Sequence, residues 1–434
     1  MTYDPVSDHD TVAMRAAMGD ARMKKFFLGL LAAIVVTVII ALTFFADEIQ
    51  RLRLATSLFT GAEQYENFHR VADLFPVSAM PADNPLPLAG NTRVDLPGTF
   101  AFKDGRSDTQ RFLQQTDTAA LLVLQDGQIV YERYWLTGGR ETPWLSMSVA
   151  KSFVATLVGI AVQEGLIRSV DELITDYVPW LVDSAYEGVR IRDVLQMSSG
   201  AAWNEDYGDF NSDINRLGRI FAVGGSLDKF LTQMQREFEP GTVNRYNSAD
   251  TQALGTLLVA ATGESVSDFM QSRLWRHLRP ESQATWLIDD EGMEMVFAGL
   301  NATARDYAKL GELYRNYGVA HGRQVLARSW VLDATTATEP HLLTSADPLG
   351  DNDFGYGYQW WLLQDDGSEF SGIGVYNQFI YINRDTNAVI VKLSANSEYG
   401  VREGPDSGRE AESFALFRAI AESLPVADPT AAPD

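Results

Sequence analysis

Ser148 and Lys151 stand three residues apart at the mouth of an apolar run, Trp144-Leu-Ser-Met-Ser148-Val-Ala-Lys151, continuing through Phe153 to Ala161. Residues three apart on a helix share a face, with Cβ atoms about 5–6 Å apart, so the hydroxyl and the amine can touch. The run behind them is almost wholly apolar, which predicts a buried helix. Burial disfavours a charged amine and lowers its pKa. A neutral amine beside a serine can take its proton and make it a nucleophile. The chain supplies its own control, because Ser226-Leu-Asp-Lys229 repeats the spacing ahead of a mixed polar helix. There Ser226 reads as an N-cap and Lys229 as a solvated charge.

The elements that must position this pair follow from pattern. Leu121 to Tyr134 is strand-like and reads as a hairpin about Asp126-Gly127, a dipeptide suited to a tight turn. Helical patterns dominate from Ser148 to about residue 335. Strands are expected again at 357–363, 378–382 and 388–393, and a last helix over 408–423. Strands at both ends with helices between predict an α+β fold, in which one sheet is built from distant segments beside a helical insertion.

Ahead of this lies a different kind of segment. Phe26 to Phe45 holds 20 residues without a charge, enough for about 30 Å of hydrocarbon. The run exceeds a signal-peptide core, and Thr43-Phe-Phe-Ala46 is a poor cleavage site, so an uncleaved anchor is expected over 26–46. Arg22, Lys24 and Lys25 before it favour a cytoplasmic tail at 1–25. The remainder is then extracytoplasmic, periplasmic in a Gram-negative cell. Residues 47–95 read as a juxtamembrane segment and Pro-rich linker, 96–425 as the main folded domain, and 426–434 as a tail.

Composition removes several functions. With 35 basic and 58 acidic residues the net charge is −23, a balance that repels nucleic acid. There is no cysteine, hence no thiol nucleophile or thiolate metal site. The five histidines lack i, i+4 spacing, no Gly-x-Ser-x-Gly elbow is present, and no cofactor is expected.

Taken in order, seven stretches carry a resemblance. They are 126–133, Ser146-Met-Ser148-Val-Ala-Lys151-Ser-Phe, 193–200, Trp203-Asn-Glu-Asp-Tyr207, Pro240 to Asp250 with Tyr246-Asn-Ser248, 299–308 and 357–361. Over roughly 96–425 the chain resembles the β-lactamase-related serine hydrolases, in the branch of the aminohexanoate-dimer (nylon-oligomer) hydrolases and esterases with a class C β-lactamase fold. The resemblance implies a β-lactamase/DD-peptidase-like antiparallel sheet flanked by helices, a helical domain, and a serine acyl-enzyme in the cleft between them.

It also implies roles. The second catalytic element of such families is Tyr-x-Asn or Tyr-x-Ser. Tyr65, Tyr314 and Tyr381 satisfy the bare pattern, but Tyr246 has the family's position. Lys151 nearby is expected to favour its phenolate. Gly372-Ile373-Gly374 aligns with the Lys-Thr-Gly strand of penicillin-recognising relatives. The backbone N–H groups of Ser148 and Val375 would form the oxyanion hole. Glu205 and Tyr207 align with an acidic residue and a tyrosine that close over substrate in the branch. Ser248, Gly372 and Gly374 complete the expected binding residues. Trp360 and Trp361 read as core. Glycine at 372 removes the cation that pairs with a β-lactam carboxylate, which suits a neutral amide or ester. The rival readings are a catalytically silent binding or sensor domain on the same fold, and a cell-wall D-alanyl peptidase.

Overall fold

A computed structural model describes residues 8–46, 58, 64–136, 138–345, 354–400 and 406–425. The expected tail at 426–434 and most of the segment from 47 to 63 lie outside the described residues. The chain divides into two units, 1–54 and 55–434. In the first, helix α1 runs Asp8–Phe44, and its Met23–Phe44 stretch is long and apolar enough to cross a membrane.

The second unit is built on a seven-stranded sheet, antiparallel throughout. Its first hairpin joins β2 (Thr118–Gln125) to β3 (Gln128–Tyr134). Asp126 and Gly127 both take positive φ, 51° and 78°, the backbone of a tight two-residue turn. Every residue of β2 is buried, as an uninterrupted apolar strand covered on both faces should be. The other strands arrive from the far end of the chain: β7 (Gly355–Tyr356), β8 (Trp361–Leu362), β9 (Glu369–Gly374), β10 (Gln378–Asn383) and β11 (Ala388–Ser394). Strand β11 pairs with β2 and closes the sheet across the sequence.

The period of two sorts side chains to the two faces of β10. Phe379 and Tyr381 meet Phe417 of helix α5 (Glu410–Ser423) at ring distances of 5.2 and 5.4 Å. Ile380 faces the other way, toward α4 (Ala304–Arg315). A Cβ on Gly311 of α4 would stand 2.5 Å from Val389 and 3.0 Å from Ile380, so glycine lets helix and sheet touch. Helix α2 (Ala150–Gln163) packs on α4 through the Phe153–Tyr307 ring pair and the Thr156–Tyr314 hydroxyl contact at 3.0 Å. All its residues from Ala150 to Ala161 are buried, as a helix apolar all round requires.

Two expectations need correction. The strand expected over 357–363 is broken: Gln359 takes φ 58°, and its side-chain amide donates to the Leu195 carbonyl at 2.9 Å. Leu195 and Thr251 hold that residue, so the chain turns between β7 and β8. The second concerns the linker. Its residues from 64 on belong to the folded unit. Strand β1 (Val77–Met80) pairs with β5 (Ala284–Leu287) at the edge of a second sheet, ordered β1-β5-β6-β4, with β6 at Leu300–Ala302 and β4 at Trp144–Leu145. Phe68 is fully buried and meets Trp144 edge-on at 5.8 Å and Tyr376 at 5.4 Å. The segment therefore supports the strand that leads into Ser148.

Truncating Phe68 to alanine should cost about 3–5 kcal/mol, the usual range for a buried Phe→Ala change. Denaturant unfolding of the full chain measures this; a loss below about 1 kcal/mol would return 64–95 to the status of a linker.

Candidate active site

Ser148 sits in a 3-10 turn, Met147–Val149, between β4 and α2. Met147 takes φ 46°, a left-handed conformation that costs a non-glycine residue energy and needs a rigid surround. The surround is present. Leu300 accepts from the Ser146 amide at 2.8 Å, and Tyr307 donates to the Trp144 carbonyl at 2.7 Å.

Lys151 follows one turn later and is 2% exposed; Ser148 is 7% exposed. The Lys151 amine donates to Ser148 Oγ at 2.8 Å and to the Phe297 carbonyl at 2.9 Å. Burial brings its pKa down to about 7, while the Glu205 carboxylate acts in the opposite direction. An amine so placed is substantially neutral at physiological pH and can accept the Ser148 proton. The control behaves as its polar setting requires: Ser226 caps its helix by accepting from the Lys229 amide at 3.3 Å, and Lys229 is solvated, paired with Glu291.

Tyr246 lies over this pair. Its ring centroid is 5.1 Å from Lys151 Nζ, and its phenol hydrogen-bonds Ser148. The expected phenolate is not favoured. Burial pushes the phenol well above its ordinary pKa and the Glu205 charge pushes it further, with only the Ser148 hydrogen bond opposing. The expectation counted the lysine charge, but a neutral amine offers none. Tyr246 is thus a protonated phenol beside an amine. The rival Tyr-x-Asn tyrosines are occupied elsewhere: Tyr314 contacts Thr156, and Tyr381 donates to Glu369 at 2.7 Å.

Helix α3 (Ser248–Thr262) starts directly after Tyr246, with Asn247 capping it by accepting from the Ala249 amide. Ser248 donates to Glu205 at 2.7 Å, and Tyr207 donates to the same carboxylate at 2.7 Å. Trp203 donates to it as well. Glu205, Tyr207 and Ser248 are therefore one cluster, with Tyr207 43% exposed at its rim.

The end of β9 abuts the nucleophile turn. A Cβ on Gly374 would lie 2.7 Å from the Ser146 carbonyl and 3.0 Å from Met147 Cβ. A Cβ on Gly372 would meet Ser152 Oγ at 3.1 Å. Both glycines let the strand reach the segment around Ser148, and Val375 follows at once. Gln378 donates to the Val375 carbonyl at 3.1 Å and accepts from the Trp144 indole at 3.0 Å, joining this turn to β4.

Two contributors escaped the sequence reading. Phe297 acts through its carbonyl, which no side-chain motif announces. Trp361 stacks on Tyr246 at 5.2 Å and 21°, so it is part of the site, whereas Trp360 is core as expected. The doublet itself was the available signal: on a strand its two indoles must face opposite ways. Three of the histidines make contacts elsewhere: His341 meets Ser198 at 3.2 Å, His321 the Leu278 carbonyl, and His277 Arg323.

An antiparallel sheet with a buried helix that presents serine and lysine at its mouth defines a class of serine hydrolases built on the β-lactamase fold. The Beta-lactamase family model matches residues 106–413, and the chain belongs to that family. It is 30% identical over 341 residues to the 6-aminohexanoate-dimer hydrolase of Paenarthrobacter ureafaciens, covering 76% of this chain and 84% of that one. A solved Bacillus anthracis structure carrying the same dimer-hydrolase name superposes with a TM-score of 0.74 at 21% identity, over 85% of this chain and 97% of its own. A family VIII carboxylesterase superposes with a TM-score of 0.54 at 15% identity, over 73% and 95%.

Gly374→Ala should slow acylation of Ser148 by about 10²-fold, the effect of displacing a reacting group by about 1 Å. Because that Cβ would press on the Ser146 backbone, the variant should also unfold at a lower temperature than wild type, and its acylation is read well below that midpoint. Stopped-flow acylation by an activated ester reads the rate; an unchanged rate in the folded variant would detach β9 from the site.

Proposed function

We propose that the chain is a membrane-anchored serine hydrolase that cleaves an amide or ester through a Ser148 acyl-enzyme. The observation that carries the proposal is the buried Lys151 amine, 2.8 Å from the Ser148 hydroxyl, in surroundings that leave it largely neutral. Lys151 takes the Ser148 proton as Oγ attacks the substrate carbonyl. The Ser148 and Val375 amides receive the developing oxyanion. Tyr246 gives its phenolic proton to the leaving group and is reprotonated from the Lys151 ammonium. Water then enters, loses a proton along the same path, and releases the acid.

The substrate is read from what surrounds Ser148. Among the described residues Lys151 is the one lysine of the cluster, and glycine stands at 372, the position that aligns with the lysine of penicillin-recognising relatives. This favours an amide or ester that is neutral beside the scissile bond over a penicillin or a D-alanyl peptide, both of which carry a carboxylate close to it. Glu205, Tyr207 and Ser248 are assigned to hold the substrate. The Paenarthrobacter relative is named for hydrolysis of a 6-aminohexanoate dimer, so that dimer belongs in the first screen. The uncharged run from Phe26 onward, within the apolar Met23–Phe44 stretch, serves as the anchor, and Arg22, Lys24 and Lys25 before that run favour an extracytoplasmic catalytic unit.

The test is turnover by the full chain in detergent, with Ser148→Ala alongside. Short-chain esters should be hydrolysed and ampicillin should not, and the alanine variant should lose ester turnover by about 10⁶-fold, as removal of a serine nucleophile does elsewhere. Rapid ampicillin turnover would overturn the substrate class. A folded wild type without turnover or covalent trapping would favour the silent binding domain.

A further inference from the structure

Helix α3 does more than follow Tyr246. Gln252, one turn into it and fully buried, grips the segment that carries Phe297. Its Nε2 donates to the Glu294 carbonyl at 3.0 Å, and its Oε1 accepts from the Val296 amide at 3.3 Å. The amide side chain thus pairs with a peptide as a neighbouring strand would. Gly255 lies three residues on, on the same helix face. A Cβ there would stand 2.6 Å from Val296 Cγ2 and 3.0 Å from Met293 Cε, so only glycine allows this approach. One residue beyond Val296 stands Phe297, whose carbonyl accepts from Lys151. Ala298 and Leu300 beyond it accept from the Ser146 hydroxyl and amide at 3.4 and 2.8 Å.

We propose that Gln252 is a positioning residue for the hydrolysis, setting the Phe297 carbonyl and, through it, the direction of the Lys151 amine toward Ser148. The inference rests on the Ser148–Lys151 reading above. Lysine ends in a freely rotating group on a flexible stem, and burial alone does not aim it. A fixed acceptor opposite Ser148 does. Helix α3 already places Tyr246 at its start, so one rigid element sets both proton carriers. Asp289 secures the far end of the segment by accepting from the Met293 amide at 2.9 Å. Within the segment the Ala298 and Gly299 amides donate to the Met295 carbonyl at 3.3 and 2.7 Å, and Gln252 holds the residues just before Phe297 from the neighbouring helix.

The test is steady-state hydrolysis of a short-chain p-nitrophenyl ester by the full chain, comparing wild type, Gln252→Met, Gly255→Ala and Ser148→Ala. Methionine keeps the volume and removes both hydrogen bonds. Gly255→Ala displaces Val296 and leaves Gln252 in place, and it decides alone if Gln252→Met does not fold. The expected result is a kcat lower by about fivefold or more with KM within about threefold of wild type, since neither residue reaches the substrate. A smaller fall in kcat, or a KM that rises in step with it, overturns the assignment. If Ser148→Ala is inactive and the other two behave as wild type, only this inference fails. If Ser148→Ala still turns over, the underlying reading fails and this one with it.

Discussion

A lysine amine held out of water between a hydroxyl and a carbonyl is the contact on which the rest of this structure depends. Among the described residues Lys151 has no ion pair; its donors go to Ser148 Oγ and the Phe297 carbonyl. An ammonium placed this way would lack the compensation that a buried charge demands. The group escapes that cost by losing its proton near neutrality, which is also the state in which it can accept one. Burial sets both the stability problem and the proposed chemistry. The Glu205 carboxylate moderates the effect by raising the amine's pKa.

Holding such a contact requires rigid elements on every side. Helix α2 is apolar all round and lies locked on α4. Strand β9 reaches the nucleophile turn because positions 372 and 374 have no side chain. Met147 keeps its left-handed φ because Trp144, Ser146 and the 297–300 segment fix the backbone on either side. Helix α3 fixes Tyr246 at one end and the Lys151 acceptor a turn later. A phenol and an amine, both uncharged, then face Ser148. Proton transfer among three neutral groups requires no ion pair at Ser148, and the Glu205 carboxylate is the charge that acts on the amine and the phenol from outside them.

Much of this was legible in the sequence, for reasons that can be named. Ser148 and Lys151 announce themselves because helical spacing and an apolar run are local properties. The Asp126-Gly127 hairpin, the late strands and the closure of the sheet across the chain follow from patterns of the same kind. What escaped is non-local. The Phe297 carbonyl belongs to the backbone and leaves no mark on residue type. The Tyr246 phenolate was expected from a charge that burial removes. Residues 64–95 look like a linker because they are rich in proline, yet Pro76 and Pro81 bracket β1, and an edge strand tolerates proline at its ends. Gln359 breaks an apolar run whose pattern reads as strand, because Leu195 and Thr251 hold its side chain.

The chemistry proposed for Ser148 depends on the protonation state of Lys151. Its most direct test is the rate at which a fluorophosphonate labels Ser148 in the full chain, followed by intact mass from pH 5 to pH 9. With the amine as base, labelling should rise with pH as Lys151 loses its proton and reach half its maximum at about pH 7. A rate still climbing at pH 9, as an ordinary lysine with its pKa near 10.4 would give, would contradict it.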